Sequence, residues 1–249
     1  MENRSESDII GNAAAAYLNS LAHSYAYLDN YSAVAHPSLP NYLALIGGDT
    51  FDITSDCTRC FVPARNLADL LADAGISGKA YMEDMPRACF SGSRGSYAQK
   101  HNPFAYFDDV RNDPQRCQSV VPYADLAKDL ASGTLPSFVW ITPDLCHDMH
   151  DRGVATGDRW LAQNVPALLN SPAFTQQSSL LAIVWDEDDG SAANRVPLIL
   201  AGPQVKRGYI SHVPANHYSL LRTVEAAWNL PPLTANDAAA QPITDAFQS

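Results

Sequence analysis

One serine is set apart by its neighbours. In His36-Pro37-Ser38-Leu39-Pro40-Asn41-Tyr42, Ser38 stands between two prolines, after the apolar run Ala33-Val34-Ala35 and before Asn41 to Ile46, a segment that reads as helix or strand. Proline fixes φ and disfavours helix in the residue before it, so Pro37 and Pro40 stiffen this approach. Pro40 suits a first helical turn, with Ser38 or Leu39 near the N-cap. A serine there meets unpaired backbone N–H groups and the positive end of a helix dipole, which favour an anion such as phosphate. A plain capped helix start gives the same pattern, so the other polar clusters matter. Trp185 runs into Asp186-Glu187-Asp188-Asp189-Gly190, four carboxylates that repel one another unless a cation or solvent relieves them. Thr142 leads into Pro143-Asp144-Leu145-Cys146-His147-Asp148-Met149-His150-Asp151, a density of histidines and acids that suits catalysis or metal binding. His101-Asn102-Pro103-Phe104 adds a third candidate, and Glu2-Asn3 offers two hard oxygen ligands on what otherwise reads as an exposed terminus.

These residues need a scaffold, and the composition allows one. The 249 residues suffice for one large α/β domain over 1–249, with no repeat, low-complexity tract or long linker, and 46% hydrophobic content supports a sizeable core. The net charge of −11 argues against nucleic acid, or an anionic membrane held by charge alone, and suits carboxylates awaiting a metal. No apolar run approaches the ~20 residues that cross a bilayer, so stable membrane insertion is not expected. The polar start, Met1 to Glu6, lacks the apolar region of a signal peptide.

Patterning predicts helices over Ser5 to Leu21, Asn66 to Ala74, Tyr123 to Ala131, Asp158 to Leu169 and His217 to Trp228. It predicts strands over Lys79 to Glu83, Ser137 to Thr142, Leu180 to Trp185, Arg195 to Ala201 and Tyr209 to Val213, with Asp84 to Pro122 irregular. Helices alternating with near-continuous apolar strands imply a mainly parallel central sheet covered on both faces, with the site at the carboxyl ends of strands. Five cysteines occur, Cys57, Cys60, Cys89, Cys117 and Cys146. Cys57-x-x-Cys60 reads as redox-active or as a metal half-site, and without a second such pair a zinc ribbon is not expected. Two disulfides and one leftover thiol would suit an exported protein.

Taken together these stretches resemble the phosphoesterase family that groups bacterial phospholipases C with acid phosphatases of the alkaline phosphatase superfamily. The resemblance is carried, in order along the chain, by Glu2-Asn3, His36 to Tyr42, Tyr81 to Pro86, Lys100 to Phe104, Asp148 to Asp151, Gly157 to Leu161, Trp185 to Asp188 and Asn216 to Thr223. It implies an alkaline-phosphatase-like fold in which Ser38 is the nucleophile and forms a phosphoseryl intermediate that water hydrolyses. It implies one divalent metal held by Glu2, Asn3, Asp186 and Glu187, with Ser38 Oγ as a further ligand. His101 and His150 would contact the phosphoryl oxygens or protonate the leaving oxygen. Hard oxygen ligands suit Ca²⁺, Mg²⁺ or Mn²⁺ alike and do not exclude Zn²⁺. Glu83 and Asp84 match the family but read equally well as structural carboxylates. His217 reads as a cap, core or site residue, His147 as peripheral, and His23, His36 and His212 as structural.

Beside the resemblance, Cys89–Cys117 and Cys57–Cys60 look like disulfide pairs, leaving Cys146 outside both. Relatives carry an apolar strand immediately before the Glu-Asn pair, and here Met1-Glu2-Asn3 opens the chain, so a sheet without its first strand and a weaker metal site are expected. The expected activity is phosphomonoester hydrolysis in a secreted or periplasmic setting, on a small phosphate-ester or phospholipid substrate. The alternatives are a phospholipase C-type phosphodiesterase, a catalytically impaired metal- or phosphate-binding homologue, and a CxxC thiol oxidoreductase. No amphipathic membrane-docking helix stands out, which favours monoesters over phospholipids.

Overall fold

The apolar run ending at Trp185 folds as the strand Leu181–Val184, and Trp185 closes it fully buried. Leu198–Ala201, buried at every position, lies antiparallel beside it with Ile183 opposite Ile199. No helix separates these two strands, and antiparallel neighbours need no crossover. The intervening loop is shaped by Asp188, whose carboxylate accepts the N–H groups of Gly190, Ala192 and Asn194 at 2.7–2.8 Å. Leu198–Ala201 also pairs antiparallel with Ala26–Leu28, which runs parallel to Tyr209–Ser211. The result is a four-stranded sheet in the order Leu181–Val184, Leu198–Ala201, Ala26–Leu28, Tyr209–Ser211. A two-stranded parallel ladder joins Tyr31–Ser32 to Ala215–Asn216.

The computed structural model describes residues 1–248, and the chain divides into two units. The strands above belong to the first, which comprises Met1–Ala33, Cys146–Asn216 and the C-terminal segment from Ile243. In place of the single helix predicted from Ser5 to Leu21, this unit has Glu6–Ile9, a 3-10 turn Ala13–Ala15 and the helix Ala16–Ser24. The break falls at Gly11, at φ 81°, a conformation open to glycine. Asp158 does not begin a helix as predicted: the helix there is Val154–Leu169, starting after Gly153. The Asp158 carboxylate instead accepts the N–H groups of Tyr17 and Leu18 at 3.0 and 2.9 Å, capping Ala16–Ser24 from a distance. Ala16–Ser24 packs on Val154–Leu169 and on the strands Ala26–Leu28 and Leu198–Ala201.

The second unit comprises Val34–Leu145 and His217–Pro242. Its three-stranded sheet is parallel throughout, in the order Val120–Pro122, Gly78–Met82, Phe138–Thr142. The helices Leu67–Asp73 and Ala124–Ser132 pack on the central strand. Both antiparallel pairings among the named strands involve Leu198–Ala201 and the other four pairings are parallel, so the α/β fold is as expected, with the sheet of the first unit mixed rather than mainly parallel. The stretch from Asp84 is ordered by the 3-10 turns Gln99–His101, Pro103–Ala105 and Arg116–Ser119, the short helix Asp108–Arg111 and the Cys89–Cys117 disulfide. Cys57–Cys60 forms the second expected disulfide.

The most buried element of this unit is the helix Ser38–Gly47, every residue of which is shielded from solvent. Gly48 ends it at φ 73°, and a Cβ there would lie 2.6 Å from Asp237 Oδ1. Thr234 Oγ1 and Asn236 Nδ2 donate to Gly48 O at 2.7 and 3.0 Å. Asp237 accepts the backbone N–H groups of Leu233 and Thr234 at 2.6 and 2.7 Å. Beside it lies the fully buried Glu225, paired to Arg222 at 3.1 Å. Burial pushes the Glu225 carboxyl up to about 8, and its hydrogen bond with Asp237 acts in the same direction against Arg222. The unfolded chain releases that proton near 4.5, so the folded chain holds more protons between pH 4.5 and about 8. Stability therefore falls as pH rises through that window. Thermal unfolding should show the wild-type midpoint dropping further than that of Glu225→Gln between about pH 5 and about pH 8; parallel profiles would contradict a protonated Glu225.

Candidate active site

In the first unit the chain start is fixed by backbone hydrogen bonds. The Met1 amine donates to Val184 O at 3.0 Å, and Asp186 N–H donates to Met1 O at 3.1 Å, the pattern of a parallel ladder continuing past Leu181–Val184. Glu2 N–H donates to Asp148 O at 2.8 Å, and Asn3 N–H to Asp186 Oδ1 at 3.1 Å. Asn3 turns out of the ladder at φ 46°, a left-handed conformation that asparagine tolerates better than most residues. Three stretches far apart in sequence are thus tied together: Glu2-Asn3, Asp148 and Asp186, with Glu187 next in line.

The electrostatics of this gathering are costly. Glu2, Asp148, Asp186, Glu187 and Asp188 are all at most 3% exposed. Glu2 and Asp148 bring carboxylate oxygens within 4.8 Å of one another. Like charges near 4 Å repel by about 1 kcal/mol in water and about 4 kcal/mol at an effective dielectric of 20, so burial makes a counter-charge valuable. Asp188 is answered by the three N–H groups of its own loop. Asn3 Oδ1 is buried and makes no hydrogen bond among the described residues. Glu2 and Asp148 belong to a group of side chains that could hold a metal ion, and the buried Asn3 carbonyl oxygen is a hard donor of the kind a divalent cation takes.

His150 lies in the same unit. Its N–H donates to Asp148 Oδ1 at 2.8 Å, and its Nδ1 engages Asp151 Oδ1 at 2.7 Å, which orients the ring while leaving the side chain 30% exposed. Arg4 donates to Met149 O at 3.0 Å and pins the turn. His147, expected to be peripheral, stacks on Trp160 with ring centroids 6.2 Å apart.

The second unit carries Ser38 and His101. Ser38 is the first residue of its helix and 1% exposed. Asn41 holds the loop that leads to it: Asn41 Oδ1 accepts the N–H groups of Val34 and Ala35 at 3.0 Å, and Nδ2 donates to Ala35 O and Pro37 O at 2.9 and 3.2 Å. His101, 2% exposed, stacks on Tyr42 with ring centroids 5.4 Å apart and planes 14° from parallel. Tyr42 stands one turn after Ser38 on the same helical face, so the histidine ring is held beside the serine's helix. Below it, Asn102 donates to the Tyr97 hydroxyl at 2.8 Å, and burial pushes the Tyr97 phenol up to about 12, keeping it neutral.

Glu83 Oε2 accepts the Asp144 N–H at 3.0 Å, and Asp84, at φ 56°, accepts the Ser96 hydroxyl at 3.0 Å. His217, fully buried, opens the helix His217–Ala227. Asp148 was not among the expected ligands, although the Asp148-Met149-His150-Asp151 stretch flagged its neighbourhood. Asn41 carried no sequence signal beyond its position after Pro40.

Comparison with solved structures finds the same architecture in an alkaline phosphatase superfamily protein from Vibrio parahaemolyticus, with a TM-score of 0.64, 13% identity, and coverage of 98% of this chain and 69% of that one. This chain thus shares the fold of that protein. Residues 10–231 match the model of the Phosphoesterase family, and the chain belongs to that family. A phosphatidylinositol-3-phosphatase of Mycobacterium tuberculosis is 37% identical over 98% of this chain and 79% of its own length. A phosphate-repressible acid phosphatase of Penicillium chrysogenum is 34% identical over 90% of this chain, which spans only 57% of that relative.

A Cβ on Gly157 would lie 2.6 Å from Met149 Cγ and Cε and 2.8 Å from His147 O, so the helix Val154–Leu169 seats the Asp148-Met149-His150 turn only through a glycine. Gly157→Ala should destabilise the fold by about 1–3 kcal/mol in denaturant unfolding, because a backbone carbonyl has to move. A change within about 0.5 kcal/mol would contradict that contact.

Proposed function

We propose that this chain hydrolyses phosphate monoesters through Ser38, assisted by one divalent metal ion. The observation that carries the reading is the buried Ser38 hydroxyl at the first position of a helix, in a chain of the Phosphoesterase family whose relatives include phosphatases. Family membership supports assigning Ser38, His101, His150 and the Glu2, Asn3, Asp186 and Glu187 oxygens to one reaction. Those four residues would hold the metal, with Ser38 Oγ as a further ligand, and the bound cation would lower the serine pKa and neutralise charge developing on the phosphoryl group. Ser38 Oγ attacks phosphorus and the ester oxygen departs with the electron pair of the broken P–O bond. His101 and His150 contact the phosphoryl oxygens or give a proton to the leaving oxygen, work suited to imidazole. Water then attacks the phosphoserine and restores Ser38. Positioning and charge stabilisation carry most of such a reaction, and the helix N-terminus adds its partial positive charge to both.

The two disulfides favour an oxidising compartment, secreted or periplasmic. The phosphatidylinositol-3-phosphatase relative makes a phosphomonoester on a lipid headgroup one substrate class to test.

The experiment compares a chromogenic phosphate monoester with a chromogenic phosphocholine diester from about pH 5 to about pH 9, around the reference histidine pKa, with and without chelator. Monoester turnover that chelator removes, and that Ser38→Ala lowers at least about a thousandfold, is expected. Preference for the diester would move the assignment to a phospholipase C. Turnover that survives Ser38→Ala would contradict the serine mechanism, and turnover indifferent to chelator would contradict the metal.

A further inference from the structure

The Cys57-x-x-Cys60 loop has no part in the reaction above, yet it touches both reactive segments of the second unit. Cys57 and Cys60 are disulfide-bonded, and both are half-exposed. Next to them, Asp56 Oδ1 accepts the N–H of Leu39, the residue after Ser38, at 3.0 Å. Asp56 Oδ2 pairs with Nζ of Lys100, the residue before His101, at 2.8 Å. Gln99, itself 4% exposed, donates from Nε2 to Thr58 O inside the disulfide loop at 3.1 Å. Pro37 offers no side-chain cap to the helix Ser38–Gly47, so Asp56 supplies one from outside the helix. The Asp56 and Lys100 side chains are only 28% and 21% exposed, a setting in which a charge-assisted bond holds better than at an open surface.

We propose that Asp56 is a positioning residue that sets Ser38 against His101, and that the Cys57–Cys60 disulfide holds Asp56 in place, so that reducing this disulfide lowers turnover. The proposal rests on the reading of Ser38 as nucleophile. A misplacement of about 1 Å can cost on the order of a hundredfold in rate, so a cap linking two reacting segments has leverage beyond its own energy. The redox step is thiol–disulfide exchange with a small dithiol. One of its thiolates attacks a cysteine sulfur to form a mixed disulfide and expel the other cysteine as thiolate. The second thiol of the reductant then displaces the first cysteine, leaving two protein thiols and an oxidised cyclic reductant.

The test measures kcat and KM separately for monoester hydrolysis, together with the unfolding midpoint, in Asp56→Ala, Asp56→Asn, the double variant Cys57→Ser/Cys60→Ser, and Ser38→Ala. Asp56→Ala should lose about tenfold or more in kcat with KM little changed, and Asp56→Asn, which keeps an acceptor for Leu39, should recover part of the loss. The double cysteine variant should match dithiol-treated wild type, and dithiol should slow it no further. A wild-type kcat in Asp56→Ala beside an inactive Ser38→Ala would overturn the positioning role while sparing the nucleophile. A dithiol effect that persists in the double variant would shift the redox response to Cys89–Cys117 and overturn the second half of the proposal. Full activity in Ser38→Ala would instead remove the reading on which both halves rest. Should Asp56→Ala fail to fold, the cysteine variant and Asp56→Asn decide the outcome by the same criteria.

Discussion

Buried carboxylate charge is the constraint from which the rest follows. The first unit shields Glu2, Asp148, Asp158, Asp186, Glu187 and Asp188 from water, and ions in such an environment need partners. Four of them accept backbone N–H groups: Asp158 from the start of a neighbouring helix, Asp188 from its own loop, Asp148 from His150 and Asp186 from Asn3. Glu2, Asp148 and Asp186, gathered with the buried carbonyl oxygen of Asn3, form the part of the set that suits a cation. The same physics appears with reversed sign in the second unit, where the Leu39 N–H in the first turn of the Ser38–Gly47 helix meets the Asp56 carboxylate.

Hydrogen bonds and ring contacts surround the groups proposed to react. Asn41 spends its whole amide on the loop before Ser38, Tyr42 sets the His101 ring, and Asp151 sets the His150 ring. At the far end of the serine helix, Gly48 is held by Thr234 and Asn236. Such arrangements restrict side-chain motion before a substrate arrives, which is how positioning contributes to phosphoryl transfer.

Much of this was legible in the sequence where local chemistry decides the outcome. The prolines around Ser38 suit a first helical turn but leave Asn41 to Ile46 readable as helix or strand, and the structure resolves the choice as a helix from Ser38. The run to Trp185 is apolar at every step and folds as a half-buried strand ending at the acids. What remained hidden is tertiary. Strands of two or three residues, such as Ala26–Leu28 and Tyr31–Ser32, are too short to show a period. Asp158 reads as the first residue of its own helix and instead caps another one. The antiparallel placement of Leu198–Ala201 depends on a loop folded about Asp188. Asp56 belongs to a loop whose meaning lies in two partners distant in sequence, Leu39 and Lys100.

The central claim, that Ser38 carries the phosphoryl group, is tested most directly by trapping. Enzyme turning over a phosphomonoester is quenched in acid, which preserves phosphoserine, then digested and mapped by mass spectrometry. One phosphoryl group on the peptide containing Ser38, absent from Ser38→Ala and from chelator-treated protein, is the predicted result. Sustained turnover with that peptide unmodified at every quench time, or with the phosphoryl group on another residue, would contradict it.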